Sequence, residues 1–346
     1  MTELFTLKHN PLVDPAMHIW SWQIPVYLFL GGLVAGLMIL SGYHIIRDRY
    51  DTDRPHGHYV TAPVLSVVLL SLGMLALFFD LEHKIDVWRL YMTFEVTSPM
   101  SWGSWILLLV YPVLIASALL NFREAQPRLA ARYPAVAGVA AVMRSRSGVV
   151  NLIGFANIAL GAGLGIYTGI LLSSLAARPL WSSALLGPLF LFSGLSTGAA
   201  TLHMLTHIEK AEDNSYGDFL VASMVGWIRP KHGEHEGAVK LAQADNGFLT
   251  IELSILMLFL INLSGSSAAG HDAAALLLTG PYAAVFWVFV VGSGLVIPLI
   301  LQGLQAANRI RPTMIPALLV LVGGLVLRFV LVYAGQASHW PRIAGF

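Results

Sequence analysis

The 346 residues include no cysteine. Disulfides, cysteine-ligated iron–sulfur clusters and thiolate zinc sites are therefore excluded within the chain. Charge is scarce as well. Asp, Glu, Lys and Arg make up 11 % of the residues, where a soluble domain carries roughly 25 %. A formal net charge of +1 gives no general basic face for a nucleic acid. What is abundant is apolar: 56 % of the residues are hydrophobic. A soluble fold cannot coat its surface from this composition. A soluble enzyme, a disordered chain and a fibre are excluded, which leaves an all-α polytopic membrane protein.

A spanning helix needs about 20 mostly apolar residues. Eight runs qualify, roughly 22–43, 61–80, 100–121, 149–176, 182–206, 247–264, 282–304 and 313–335. Two weaker runs, 134–143 and 219–228, are too short for a core of about 30 Å at about 1.5 Å per residue. They are assigned to loops, as segments lying on the membrane surface. Only Lys8 is basic ahead of the first run, so no cleavable signal is evident and the N-terminal tail is expected to be retained.

Basic residues set the direction of insertion. Arg47, Arg49 and Arg54 lie in the first connection, and Arg123, Arg128, Arg132, Arg144 and Arg146 in the third. Lys210, Arg229, Lys231 and Lys240 lie in the fifth, and Arg309 and Arg311 in the seventh. The opposite side has only Lys8, Lys84, Arg89, Arg178 and Arg342. The odd connections are therefore expected in the cytoplasm and both termini outside.

Gly32-Leu33-Val34-Ala35-Gly36 in the first run matches Gly194-Leu195-Ser196-Thr197-Gly198 in the fifth. Gly163-Leu164-Gly165-Ile166-Tyr167 in the fourth likewise matches Gly324-Leu325-Val326-Leu327-Arg328 in the eighth. The simplest reading is two four-helix bundles repeated in parallel, 1–180 and 181–346. The alternative is a chance likeness between glycine faces, which let helices approach closely in lipid.

An ionisable side chain within a span costs about 2.5–3.5 kcal/mol on insertion scales, so each asks for a reason. Arg328 lies inside the last run and Asp80 closes the second, opening the polar stretch Asp80-Leu81-Glu82-His83-Lys84. A buried Arg328–Asp80 pair would relieve both charges, either as a helix lock or as a functional pair. Towards the other face lie His203, His207 and Glu252. They are candidates for an inward proton relay, against the plainer reading of a hydrated helix end. A bis-histidine haem would require His44 with His203 or His207, a poor arrangement. His232 and His235 lack a third metal ligand.

Several stretches together resemble the NrfD/PsrC family, the polysulfide-reductase-type membrane subunits. They are Trp20 to Gly32, Asp80-Leu81, Thr97-Ser98-Pro99-Met100-Ser101-Trp102-Gly103-Ser104-Trp105, Tyr167-Thr168-Gly169, Ser193 to Gly198, Gly280-Pro281-Tyr282-Ala283 and Gly323 to Arg328. The Ser-Pro-x-x-Trp-Gly piece is the most specific. The resemblance implies a haem-free subunit of the bacterial inner membrane that binds menaquinone or ubiquinone. It implies a four-cluster ferredoxin-like iron–sulfur partner at the outer face, joined to a molybdopterin or multihaem catalytic subunit. The implied quinone pocket lies at the outer end of the first bundle. Mapped onto this chain, Tyr167 is a phenol donor, and Tyr27 stands where the polysulfide-reductase type carries a histidine. Gln23 offers an amide, His83 and Asp80 offer protons, and Ser98, Trp102 and Trp105 shape the wall. Arg328 is grouped with the quinone-binding residues. An interfacial aromatic belt is the alternative for Trp20 and Trp22.

Quinone chemistry moves two electrons and two protons, and this protein has proton carriers but no cysteine. A partner must bring the redox centre, and the 81–99 connection is its expected dock. Rival readings are a proton- or ion-translocating subunit with little quinone turnover, a cytochrome b-type anchor, and a stand-alone transporter.

Overall fold

The computed structural model describes residues 20–47, 57–125, 127–175, 177–208, 235–307, 309–310 and 313–339, and among them there is no strand. The principal helices are α1 (Gln23–Arg47), α2 (Gly57–Asp80), α3 (Pro99–Leu120), α4 (Pro134–Ser145) and α5 (Ser147–Ser173). They continue with α6 (Leu186–Ile208), α7 (His235–Ser266), α8 (Ala268–Leu278), α9 (Ala283–Ala306) and α10 (Ile315–Ala337).

Among the described residues, seven helices are long and apolar enough to cross a membrane: α1, α2, α3, α5, α7, α9 and α10. The eighth long helix, α6, reaches 23 residues, or about 34 Å at about 1.5 Å per residue. It carries hydroxyl side chains through its middle turns, and its position accommodates them. Residues 193–200 are all buried, and α6 packs against α1, α5, α7 and α10. A helix enclosed by other helices can carry Ser193, Ser196, Thr197 and Thr201, and the last three bond back to carbonyls one turn earlier.

The other central helix is α1, where Gly31–Met38 form an equally unbroken buried stretch and α2, α5, α6 and α10 pack around it. The two matched glycine motifs meet here. A Cβ at Gly194 would lie 2.5 Å from the Gly32 carbonyl oxygen, and one at Gly198 would lie 2.7 Å from the Gly36 carbonyl carbon. Only hydrogen fits on either side. The fourth and eighth runs show a crossed pattern. Gly165 of α5 faces Leu191 and Ala35, whereas Gly324 of α10 faces Phe29 and Thr197. At the register that pairs Gly32 with Gly194, Phe29 corresponds to Leu191 and Ala35 to Thr197. Packing thus equates Gly324 with Gly165, two residues from the Gly163 that the sequence pairing selects. Gly163 instead faces Ile106 of α3.

The structure moves one helix boundary and adds detail to two other segments. Helix α7 begins at His235, well ahead of 247, so Asp245 is inside a helix and not in a loop. The weak run at 134–143 forms α4, while the run at 219–228 lies outside the described residues. In α9, residues 286–296 adopt the wider π-helical turn, and the Ile297 N–H bonds the Gly292 carbonyl. Pro298 follows. It lacks the N–H that would bond residue 294, and its ring would clash with that carbonyl in a regular helix.

The start and end of the described residues are clasped together. The Trp20 N–H donates to Gln336 Oε1 at 3.0 Å and Gln336 Nε2 donates to the Trp20 carbonyl at 2.9 Å. The Trp20 ring lies 5.3 Å from that of Trp181, whose indole donates to the Leu331 carbonyl at 2.9 Å. Trp20 is therefore a packing residue as well as an aromatic at a helix start.

Because the α1–α6 seam has no room for a side chain, Gly198→Leu should destabilise the protein by about 1–3 kcal/mol or more, as overpacking does. Gly303→Leu is the control, since a Cβ there meets nothing within 4 Å. Thermal denaturation of the detergent-solubilised protein should show a lowered midpoint for Gly198→Leu and an unchanged one for Gly303→Leu.

Candidate functional site

Two buried polar clusters stand out, at different depths. The first forms where α1 starts, α2 ends, α3 starts and α5 ends. Tyr27, one turn into α1, is 2 % exposed, and Tyr167, in the last two turns of α5, is 7 % exposed. Their phenol groups interact with one another. Gly103 of α3 makes room for the pair: a Cβ there would overlap the ring and hydroxyl of Tyr167. On the α2 side, a Cβ at Gly73 would lie 3.8 Å from the Tyr27 ring. Gln23, one turn before Tyr27, has its Oε1 buried without a hydrogen-bond partner among the described residues.

Tyr91 completes this cluster. It lies in the short helix Arg89–Met92 and interacts electrostatically with both Tyr27 and Tyr167. Burial, followed by the nearby Tyr111 phenol, holds the Tyr91 hydroxyl above its ordinary titration range. It therefore stays protonated, a hydrogen-bond donor, at neutral pH.

Other residues picked from the sequence take different places. Trp102 is partly exposed, and its indole donates to the Val96 carbonyl at 2.8 Å. Together with Ser101, which accepts the Glu95 N–H at 3.0 Å, it pins the 93–98 segment. Ser98 stands at the N-cap of α3 with no side-chain capping bond. The Trp105 ring packs edge-on against Phe94 at 5.8 Å, and its indole nitrogen is buried without a partner. Asp80 is half-buried at the end of α2, and His83 is exposed. Neither enters the tyrosine cluster.

The second cluster lies deep between α6, α7, α9 and α10. Arg328 is fully buried. Its guanidinium bonds Ser193 Oγ, the Phe190 carbonyl at 3.3 Å and the Gly324 carbonyl at 3.3 Å. It also lies 4.7 Å from the centre of the Phe190 ring. Glu252, 2 % exposed, accepts a bond from Ser196 Oγ at 2.8 Å and interacts with Ser193 and Arg328. The expected Arg328–Asp80 pair is thus not formed. Arg328 faces the α6 serines and Glu252, because α10 packs on α6 and not on the end of α2. It also stands apart from the tyrosines with which the resemblance grouped it.

About two helical turns before Glu252, Asp245 is 1 % exposed and accepts a bond from Gln302 Nε2 at 2.6 Å. Its second oxygen has no partner among the described residues. His203 is buried on α6. The side chains of His207, His232 and His235 fall outside the described residues. Among the described residues, no group of three His, Asp or Glu is placed to hold a metal ion.

Sequence reasoning missed Tyr91, Asp245, Gln302 and Gly103. Asp245 had a signal, a carboxylate followed directly by an apolar run, but a span starting at 247 does not include it. Gly103 had one in the glycine of the Ser-Pro-x-x-Trp-Gly stretch. Tyr91 had none, since only tertiary packing brings it to Tyr27.

Long apolar helices around two buried polar clusters define a multi-pass membrane protein. The protein belongs to the NrfD family: the family described as "Polysulphide reductase, NrfD" matches residues 9–339. It is 30 % identical to the C subunit of polysulfide reductase from Wolinella succinogenes, over 92 % of its own length and 94 % of that protein. It is 30 % identical to protein NrfD of Escherichia coli over 92 % and 96 %, and 26 % identical to the NrfD homologue of Haemophilus influenzae over 92 % and 95 %.

Removing one of two buried opposite charges that interact leaves the other uncompensated, at up to about 3–5 kcal/mol. Arg328→Met should cost that much, and Arg328→Met with Glu252→Met should recover part of the loss. Stabilities of the two single variants and the double variant, measured by denaturation in detergent, should show non-additivity of about 0.5–3 kcal/mol. Strict additivity would show that the two groups do not interact.

Proposed function

We propose that this protein is the quinone-reactive, haem-free membrane subunit of a respiratory oxidoreductase complex. The observation that carries the reading is the enclosed cluster of Tyr27, Tyr167 and Tyr91 with the unpartnered Gln23 amide oxygen at the Trp20 end. A quinone supplies a two-electron, two-proton couple with two oxygens that need hydrogen-bond donors. The phenols meet that need. Tyr167, held on the bare face of Gly103, donates at one oxygen, and Tyr27 orients the Tyr167 hydroxyl. Gln23 Oε1 accepts from a hydroxyl of the reduced form. His83 and Asp80 stand nearer the surface, where they exchange protons with water.

The remaining parts of the reading follow from the same frame. With α6 counted, eight helices cross the membrane in two four-helix halves, 1–180 and 181–346. The paired glycine motifs and the crossed contacts of Gly165 and Gly324 support this. The basic-residue asymmetry supports a topology with both termini, and with them the tyrosine cluster, on the periplasmic side of the bacterial inner membrane. The 81–98 connection exposes Ile85, Met92 and Val96 at that end. This is an apolar dock suited to a four-cluster ferredoxin-like iron–sulfur subunit carrying a molybdopterin or multihaem catalytic partner. Without cysteine, the protein relies on that partner for electrons. The name of the Wolinella succinogenes relative, one component of a reductase, supports membership of a multi-subunit complex.

A second reading, proton or ion translocation, is favoured by the Arg328–Ser193–Glu252–Ser196 network and by buried Asp245 and His203. In this reading Glu252 and His203 pass protons towards the inner face. The two clusters make the readings separable. Tyr167→Phe removes one hydroxyl and little volume. It should lower quinone-linked turnover on the order of a hundredfold, the scale of a positioned proton donor. Reduction of artificial acceptors at the soluble partner should stay normal. Glu252→Gln should leave quinone binding intact. Full quinone activity in Tyr167→Phe, with quinone binding lost in Glu252→Gln, would move the site to the second cluster.

A further inference from the structure

Between α3 and α5 the polypeptide does not cross directly. Two short helices, Phe122–Ala125 and Pro127–Arg132, lead into α4, and α5 begins just after α4 ends. The segment is anchored at the ends of two spans, so it lies at a membrane surface. By sequence, residues 122–148 hold five arginines against one carboxylate, Glu124.

Helix α4 is built asymmetrically. Ala140 is buried against the spans, whereas Val139 and Val142, with Tyr133 just ahead of the helix, are about half exposed and apolar. Between these faces lie two adjoining grooves. One, of about 580 Å³, is lined by Leu120, Arg123, Ala140, Ala141, Arg144 and Ser145. The other, of about 520 Å³, runs from Arg123 over Ala130, Ala131, Pro134, Ala137, Gly138 and Ala141. Each falls in the range of about 300–1,000 Å³ typical of small-molecule sites. Arg123 and Ala141 belong to both, so the grooves share a junction. Among the described residues, no acidic side chain lines either. Small residues in a membrane protein normally mark where another helix closes in. Among the described residues none does so here, and a Cβ on Gly138 would meet nothing within 4 Å.

We propose that this groove binds one anionic glycerophospholipid. Arg123 and Arg144 hold its phosphate at the mouth, and one acyl chain lies along the alanine floor. Three observations select this occupant. Guanidinium groups match phosphate oxygens with paired donors. The floor is apolar and unbranched, the shape of a hydrocarbon tail. The exposed valines beside it keep the site at the height where headgroup and acyl tail meet, and basic pockets at such surfaces take anionic headgroups. The site is separate from both polar clusters and does not depend on the proposed quinone chemistry.

The test uses the purified, delipidated full-length protein in neutral detergent, with retained lipid counted by native mass spectrometry. The probes are phosphatidylglycerol, phosphatidylcholine with the same acyl tails, and inorganic phosphate. One phosphatidylglycerol per protein should be retained at a concentration roughly ten- to thirtyfold below that required for phosphatidylcholine, the effect of two basic groups at a membrane surface. The R123A/R144A double variant should erase this difference, and R123K/R144K should keep part of it. Ala141→Phe fills the floor while leaving both arginines, and should also abolish the tightly held lipid. Millimolar phosphate should leave the lipid bound. Elution profile and helix content check that the charge variants are folded, and R123K/R144K keeps both positive charges. Equal retention of the two lipids would overturn the proposal, as would unchanged phosphatidylglycerol binding in R123A/R144A. Displacement of the lipid by phosphate alone would overturn it too, by showing a bare anion site.

Discussion

Everything in this fold hangs on the seam where Gly32 and Gly36 of α1 meet Gly194 and Gly198 of α6. In lipid there is no hydrophobic gain in bringing two helices together, so close backbone approach and packing supply the attraction. With a side chain on either strip, the helices would separate. The buried stretches Gly31–Met38 and Ser193–Ala200 would then face lipid, and the serines and threonines of α6 with them. The seam also makes space for chemistry. A Cβ at Gly32 would sit 3.2 Å from the Arg328 guanidinium, so the glycine that joins the helices also admits the arginine.

Around this shared axis the polarity is distributed unequally. Ser196 bonds Glu252. At the register of the glycine motifs its counterpart in α1 is Val34, which packs in one apolar cluster with Leu70 of α2. The mid-membrane region beside α1 is thus dry where that beside α6 is polar. Around α1 the hydroxyls collect at the Trp20 end instead, at Tyr27 and Tyr167. Under the proposed function this separates a site for hydrogen-bonding a diffusible quinone from a buried charged network. Neither then has to compromise for the other.

Much of this is legible in the sequence. Composition alone requires a membrane protein. The glycine motifs at matched depth mark close-packing faces on α1 and α6, though not that the two faces meet, and Tyr27 and Tyr167 stand out in the sequence before any contact between them is visible. Three features are not legible, for physical reasons. Helix α6 can be counted from its length, but its burial, which explains its hydroxyls, depends on four neighbours. Arg328 and Asp80 both fall towards the same end of their runs, yet residue count fixes neither exact depth nor azimuth, and α10 turns its arginine deep towards Ser193. Trp102 has the position of a pocket-wall residue, while its indole is spent on the Val96 carbonyl. A side chain's register on a helix is readable from sequence, whereas its neighbour across a groove is not.

The central claim is that the quinone site lies at the Trp20 end, on Tyr27 and Tyr167. The most direct measurement is photoaffinity labelling of the intact complex with an azidoquinone, followed by peptide mapping. The account predicts saturable labelling, displaced by excess quinone, in the first turns of α1, the start of α3 near Gly103 and the end of α5. Saturable labelling confined to α6 and α7 around Ser196 and Glu252 would contradict it.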